Sequence, residues 1–485
     1  MSRGTFRSKN KVGETMSFQT DSSSGTTFDP TVTFLSGSDR VSWDLGDGSG
    51  YNAGNSLSYT YPDTGTTKTV TLRTNLISRI ISFESPLDNL ISNLDMSGWD
   101  GLEKLVVNSN SITGVTLTQP TILQYGATTL INISSCDLTG NLDMTMYPNK
   151  LGGTFNVSYN PNLTGITHTA STTNLSSYQV NNCDITGIHD ISMIGPLLGG
   201  TIRFNNNTNL TEIINPPSVT NQMSQYYGYN CDLTGNLNMS AYTKMGGAFK
   251  VENNPNLTGI THPTSTTVFN NYQANSCGLI GNHDVSMLPG LGGQFQIQSN
   301  TNLTSITHTA STETFSLYQA NSCGLIGNHD VSMLPGLGGQ FQIQSNTNLT
   351  GITHTASTET FSSYRAYSCN LTGNHDMSML PGLGGIFYIY SNPLLTSITH
   401  PASTEVFSQY TAYSCGLDYV NFLPLSGASI TGSIRLEENS MSVTDVNHIL
   451  VDFDNISTNL NPAGWTGTTL DISGTNAAPD SSSGG

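Results

Sequence analysis

Apolar and polar positions alternate with a fixed rhythm through most of this chain. In Phe295-Gln-Ile297-Gln-Ser-Asn300-Thr-Asn-Leu303-Thr-Ser-Ile306 the apolar residues fall at positions 1, 3, 9 and 12, with asparagine at 6. Tyr318-Gln-Ala320-Asn-Ser-Cys323-Gly-Leu325 repeats the frame with cysteine at 6. Alternation over a few residues predicts a short half-buried strand, and one strand per repeat stacks into a parallel sheet. A single coil cannot bury its apolar side, so its stability comes from its neighbours. The period is read from position 6. Cys136, Cys183, Cys231, Cys277, Cys323, Cys369 and Cys415 are spaced by 47, 48, 46, 46, 46 and 46 residues. Asn160, Asn207, Asn254, Asn300, Asn346 and Asn392 fall between them, so the coil is about 23 residues.

The return segments, GNHDVSMLPGLGG and THTASTETFSS, are rich in Gly, Pro, Ser and Thr and lack helical periodicity. They predict irregular or short 3₁₀ stretches on the convex side. Past the last coil, Val446, Ile449, Leu450 and Phe453 fall at helical spacing behind a Ser/Thr–Asp start. A capping helix is expected there, since a solenoid has to cover its open end.

The frame resembles the leucine-rich repeat, L-x-x-L-x-L-x-x-N/C-x-L, over about Ile81 to Asn439. Ahead of it, Val41-Ser-Trp-Asp-Leu-Gly-Asp-Gly, then Leu57-Ser-Tyr-Thr-Tyr61 and Thr69-Val-Thr-Leu-Arg73, resemble the PKD-type immunoglobulin-like sandwich, with Leu45 and Tyr59 departing from its usual Phe and His. Leu470-Asp-Ile-Ser-Gly-Thr-Asn-Ala-Ala-Pro479 is similar to closing segments of leucine-rich proteins encoded by phages and prophages. The resemblances imply a mainly β chain: a basic arm at 1–15, a small β-sandwich at 16–76, a leucine-rich-repeat solenoid at 77–440 and a capping helix with closing segment at 441–485. They also imply that the PKD-like domain is a spacer or attachment module.

Composition narrows the function. A net charge of −18 and a pI near 4.7 argue against nucleic-acid binding, which needs a basic stripe. No stretch approaches the roughly 18 apolar residues of a membrane span. The opening MSRGTFRSKNKVGETMSFQT has basic residues but no apolar core after them, unlike a secretory signal. The Thr/Asn/Gly-rich, Lys-poor composition is nonetheless that of an extracellular protein. A virion protein, released by lysis, reconciles the two; an export signal outside this sequence is the alternative. Arg3, Arg7, Lys9 and Lys11 form either a disordered arm or a docking peptide for an acidic partner surface.

The residues able to do chemistry are all repeated. Like positions two coils apart are separated by roughly 9.5 Å, while a disulfide needs Cα atoms within about 7 Å. The cysteines are therefore expected to be a structural ladder with the asparagines, holding neither disulfide nor zinc. His168, His262, His308, His354 and His400 follow asparagine by eight residues, and His189, His283, His329 and His375 follow cysteine by six, each before Asp. They are expected to cap turns or to line the convex side with His–Asp pairs bonding backbone; a weak metal site between the ladders is the other reading. Catalysis needs one pocket with convergent groups, so no enzyme, no metal and no cofactor is expected.

Two near-identical units, Cys277–Ser322 and Cys323–Ser368, differ only at Ser305/Gly351, Leu317/Ser363, Gln319/Arg365 and Asn321/Tyr367. The last three pairs lie on the outward face of one strand, because side chains alternate along it. That face is the expected binding surface, carrying Gln319, Asn321, Arg365, Tyr367, Tyr388, Tyr390, Tyr413, Tyr227 and Tyr229. Amides with clustered tyrosines make an adaptable surface of the kind paratopes use, and these groups also stack on and hydrogen-bond sugars. The expected function is a non-enzymatic phage virion adhesin (a tail fibre, spike or capsid-surface fibre) on the virion surface, binding a host surface glycan or protein. Its arm and PKD-like domain would bind other virion proteins, with homo-oligomers compatible. The alternatives are an extracellular bacterial cell-surface leucine-rich adhesin and a structural virion decoration or spacer.

Overall fold

The computed structural model describes residues 14–21, 27–62, 67–74, 77–87, 90–96, 99, 101–117, 130–145, 151–170, 175–194 and 199–480. Most of the arm expected at 1–15 lies outside them. The chain is mainly β: a parallel-strand β-solenoid of about 14 turns of about 23 residues, with an N-terminal sheet region. It divides into two compact units, residues 1–232 and 233–485.

In the first unit the N-terminal sheets run directly into the solenoid. Glu14–Asp21 pairs antiparallel with Thr67–Thr74 on one side and, at Gln19 and Thr20, with Leu90–Met96 on the other. Thr31–Phe34 pairs antiparallel with Ile80–Glu84, the first strand of the parallel ladder. Strand pairing thus joins residues on either side of the boundary expected at residue 77. Phe18, Phe28, Trp43, Phe83 and Trp99 join the two parts as one aromatic core, with centroids 5.5 to 6.1 Å apart. The hydrogen bonds that a terminal solenoid strand would leave open are therefore taken up at Ile80–Glu84. In the Trp-Asp-Leu-Gly turn, Gly46 sits at φ +69°, where a Cβ would lie 2.4 Å from the Thr69 carbonyl oxygen. Lys104–Val106, Leu130–Asn132, Gly153–Asn156, Leu175–Gln179, Gly200–Arg203 and Met223–Tyr227 extend the ladder in register.

In the second unit the ladder runs through Met245–Lys250, Phe269–Gln273, Leu291–Gln296, Phe315–Gln319, Leu337–Gln342, Phe361–Arg365, Leu383–Tyr388 and Val406–Thr411. Ser433–Arg435 and Thr469–Asp471 close it. The register stacks Phe249, Tyr272, Phe295, Tyr318, Phe341, Tyr364, Phe387 and Tyr410 into a buried spine, with centroids 4.9 to 5.7 Å apart. Beyond each strand one residue turns left-handed, as Ser299 does at φ 61° and Ser322 at φ 53°, sending Asn300 and Cys323 inward. At the far end the helix Val443–Asn455 has a capping box between Ser442 and Asp445 and buries Val446 and Ile449.

The return segments differ from the expectation of irregular or 3₁₀ structure. Short strands form there and pair two by two: Gly281–Asp284 with Leu303–Thr307, Ile326–Asp330 with Asn348–Thr353, and Thr372–Asp376 with Leu394–Thr399. Their Leu-Thr-x-Ile-Thr stretches are rich in β-branched residues, which suits a strand, but Leu and Ile fall three apart, so simple alternation does not mark them. The glycines around them draw the eye to turns. Each pair carries a bulge at a left-handed glycine, such as Gly327 at φ +73°. Between successive pairs the ladder opens into a groove. One of about 290 Å³ lies between Asn348–Thr353 and Thr372–Asp376, lined in part by Asn328, His354, Asn374, His375 and Met379.

Candidate ligand-binding face

The outward side of the second unit's ladder changes character along its length. From Phe269–Gln273 to Leu337–Gln342 the outward positions are Asn271, Gln273, Asn275, Gln294, Gln296, Gln298, Leu317, Gln319, Asn321, Gln340, Gln342 and Gln344, amides except for one leucine. Pairing sets Gln273, Gln296, Gln319 and Gln342 in one row. Gln319 Nε2 donates to Gln342 Oε1 at 3.0 Å, and Gln342 Nε2 to Gln340 Oε1 at 2.8 Å. Crowding by long neighbours leaves Gln342 and Gln344 only 8% exposed. The buried oxygens Asn271 Oδ1, Gln298 Oε1, Asn321 Oδ1 and Gln344 Oε1 have no hydrogen-bond partner among the described residues.

The same rows then turn aromatic. Gln342 is followed in register by Arg365, Tyr388, Thr411 and Arg435. In the adjacent row Tyr367 and Tyr390 stack with centroids 4.5 Å apart and planes 9° apart, and Tyr390 and Tyr413 at 4.7 Å and 9°. The Arg435 guanidinium covers the end of the stack, 4.6 Å from the Tyr413 centroid, and bonds Glu437. Arg365 lies 5.8 Å from the Tyr388 ring, and Tyr388 bonds Gln409. Burial and the neighbouring phenols push the Tyr390 hydroxyl up to about 12, so it stays protonated and able to donate. Because the rings of this row lie against one another, their edges and hydroxyls face outward.

Gln319, Asn321, Arg365, Tyr367, Tyr388, Tyr390 and Tyr413 thus share one surface. Tyr227 and Tyr229 belong to the first unit, where they lie 6.1 Å apart with Arg203 5.3 Å from the Tyr227 centroid. Arg203 and Tyr227 are paired in register, as Arg365 and Tyr388 are, so each unit sets an arginine beside a tyrosine one strand on. Comparison with protein families and with curated proteins finds no match. The functional reading therefore rests on the geometry of this chain.

At position 6 the asparagines do more than the cysteines. Asn346 Nδ2 donates to Ala320 O at 2.9 Å and Ile343 O at 2.6 Å, while its Oδ1 accepts from the Cys323 and Leu325 amides at 3.1 and 3.3 Å. Cys323 has only a weak S–H donor, shared between Ile297 O at 3.3 Å and Asn321 O at 3.6 Å. The seven cysteines are free and buried, and burial holds the thiols at about 11 to 12. Ellman titration of the denatured, unreduced chain is expected to count seven thiols, while the native chain reacts with almost none at pH 8. A count of five or fewer would refute the free ladder.

The histidines are not turn caps. His308 Nε2 and His329 Nε2 both lie 2.8 Å from the Tyr318 hydroxyl, beneath the strands. His262–Tyr272–His283 and His354–Tyr364–His375 repeat the triad in the second unit, and His168–Tyr178–His189 forms it in the first. One hydroxyl proton cannot serve two acceptors, so in each triad one imidazole donates to the tyrosine and the other accepts from it. At His400 the Asn421 carbonyl takes the Nδ1 proton, so Nε2 accepts from Tyr410. Burial lowers the imidazoles, to about 3 at His308 and about 4 at His329. The following aspartates do something else: Asp284, Asp330 and Asp376 accept from the amides of Ser286, Ser332 and Ser378. Among the described residues no group of three or more His, Cys, Asp and Glu is placed to hold a metal. The signal for the triads was in the sequence as a tyrosine ten residues after one histidine and eleven before the next.

Proposed function

We propose that this chain is a non-enzymatic adhesin of the phage virion, with coils of leucine-rich type, and that the second unit's strand face holds a host surface glycan or protein. The observation that supports this most is the Arg365–Tyr388–Tyr390 cluster, in register with the tyrosine stack and bordering a floor of amides. It is a wide surface of donors, acceptors and aromatic edges, the composition of adaptable recognition surfaces. The reactive-looking groups serve the interior: the thiols bond carbonyls and the imidazoles bond tyrosines. The N-terminal sheets, PKD-like in this reading, would attach the solenoid to other virion proteins.

Purified virions should contain the chain. The triple variant Arg365→Ala/Tyr388→Ala/Tyr390→Ala should abolish adsorption to cells that the native chain binds, with its circular dichroism retained. Undiminished adsorption would sink the binding-face reading and favour a spacer, and recovery from a bacterial surface in place of virions would favour the cell-surface adhesin.

A further inference from the structure

From the amide floor and tyrosine stack we infer the ligand class of this face: a neutral, hydroxyl-rich polysaccharide lying along the stacking direction, across the strands. The inference rests on the adhesin reading and narrows it.

The direction follows from the register. Like groups recur from strand to strand, at about 4.8 Å, whereas one strand offers only three outward positions and they are followed by a turn. A repeating ligand therefore meets repeating partners only when it crosses the strands. An extended peptide places same-face groups about 6.7 Å apart and falls out of step with such rows. An extended β-linked pyranose chain advances by close to one strand spacing per residue.

The chemistry follows from what the amides leave unspent. Asn271, Gln298, Asn321 and Gln344 each hold a buried oxygen without a partner among the described residues, and Gln344 is 8% exposed. Amide oxygen and nitrogen exchange places when the group flips, so Gln298, Asn321 and Gln344 in one row, and Asn271 in another, offer unpaired acceptors or unpaired donors. A hydroxyl both donates and accepts, so it satisfies either orientation. The Tyr390 hydroxyl, held protonated, and its neighbours in the stack continue the pattern. Because the rings of that stack cover one another, the ligand meets edges and hydroxyls there, not open ring faces.

Charge excludes the competitors. The outward positions from Asn271 to Gln344 carry no charge, and from Asn271 onward the first carboxylate in these rows is Glu437, already bonded to Arg435. A cationic ligand finds no counter-charge along the floor. A polyanion finds Lys250 one strand before the floor, in register with Gln273 and followed by Glu252, then Arg365 and Arg435 after it, but no cation on the floor itself. A neutral chain pays no desolvation of charge on such a surface.

The test uses the full chain on an array of neutral and acidic bacterial surface polysaccharides, with adsorption to a bacterial strain panel in parallel. Retention by neutral polysaccharides, little changed between 0.05 and 0.5 M salt (roughly a threefold change in screening length), is expected. The variant Gln298→Ala/Asn321→Ala/Gln344→Ala, which removes the amides with unspent oxygens in one row, should weaken it by about tenfold or more. Tyr390→Phe, which keeps the ring stack and removes one hydroxyl, should weaken it by about threefold. Retention by acidic polysaccharides alone, or undiminished retention in both variants, would overturn the inference. Adsorption to cells that survives periodate and is lost to protease would overturn it too, while leaving the adhesin reading in place. Neither adsorption nor retention would overturn both.

Discussion

Acidification from pH 7 to pH 4 will unfold the second unit, and its loss will precede that of the first. Seven histidines lie beneath the strands there, His283, His329, His375 and His400 buried and His262, His308 and His354 half-buried. Their folded values sit below the unfolded value of about 6.5, in each case mainly because burial disfavours the charged ring. Neighbouring histidines add to the effect at His283, His308 and His354, and Asp284, Asp330 and Asp376 partly oppose it. The stability these rings contribute is complete above about pH 6.5. It falls as the unfolded chain takes up protons that the native chain refuses, and the loss levels off once the folded rings titrate, near 3 to 4 where the values are resolved.

Each ring contributes up to about 1.4 kcal/mol per pH unit in that window, so seven approach about 10. Even a third of that removes about 6 kcal/mol over two units, comparable with the whole stability of a domain. The structural cause is specific. His308 Nδ1 and His354 Nδ1 are buried without a partner among the described residues, so a second proton on either ring enters an unsatisfied site, and a proton on the accepting ring displaces the tyrosine hydroxyl. The first unit holds only His168 and His189 in this state. Hydrogen exchange followed from pH 7.5 downward should show residues 262–410 losing protection while 130–214 retain it. Native circular dichroism persisting at pH 4, or the reverse order, would refute this.

The second large effect is at position 6. Asn346→Ala removes four hydrogen bonds to buried backbone groups in two coils. Each stranded group costs about 1–3 kcal/mol, so the variant should lose about 4 kcal/mol or more in urea denaturation. Cys323→Ala, one coil earlier, gives up a sulfur and a weak S–H bond and should cost about 1 kcal/mol. Equal costs at the two positions would show that the ladder is held by packing alone. The asymmetry explains how two residue types alternate at one structural place. Every second coil is fastened by an amide, and the intervening coil needs only a small buried group.

The coil period, strand positions, outward face and capping helix were legible in the sequence, because each is a repeat or a local signal. Phe295 and Ile297 alternate, position 6 recurs, and Ser442 with Asp445 marks a helix start whatever surrounds it. The second set of strands was less legible: bulge glycines in Gly-Asn-His-Asp read as turns until a partner strand supplies the hydrogen bonds. Of the candidate site, the membership of the second unit's face was legible from alternation, but its chemistry was not. Side-chain spacing says that Tyr367, Tyr390 and Tyr413 are neighbours, not that their rings close on one another and turn their edges outward.

The sequence by itself determined a stack of coils of about 23 residues, a parallel strand in each, and the residues that point inward and outward, since all of these follow from period and alternation within one chain segment. Only the tertiary structure decided that the histidines meet tyrosines from beneath the strands, that the N-terminal sheets are hydrogen-bonded to the first coils, and that some outward amides are left with unspent oxygens. Those outcomes depend on the lateral offset and spacing between neighbouring coils, distances that no single repeat encodes and that packing fixes once the coils are stacked.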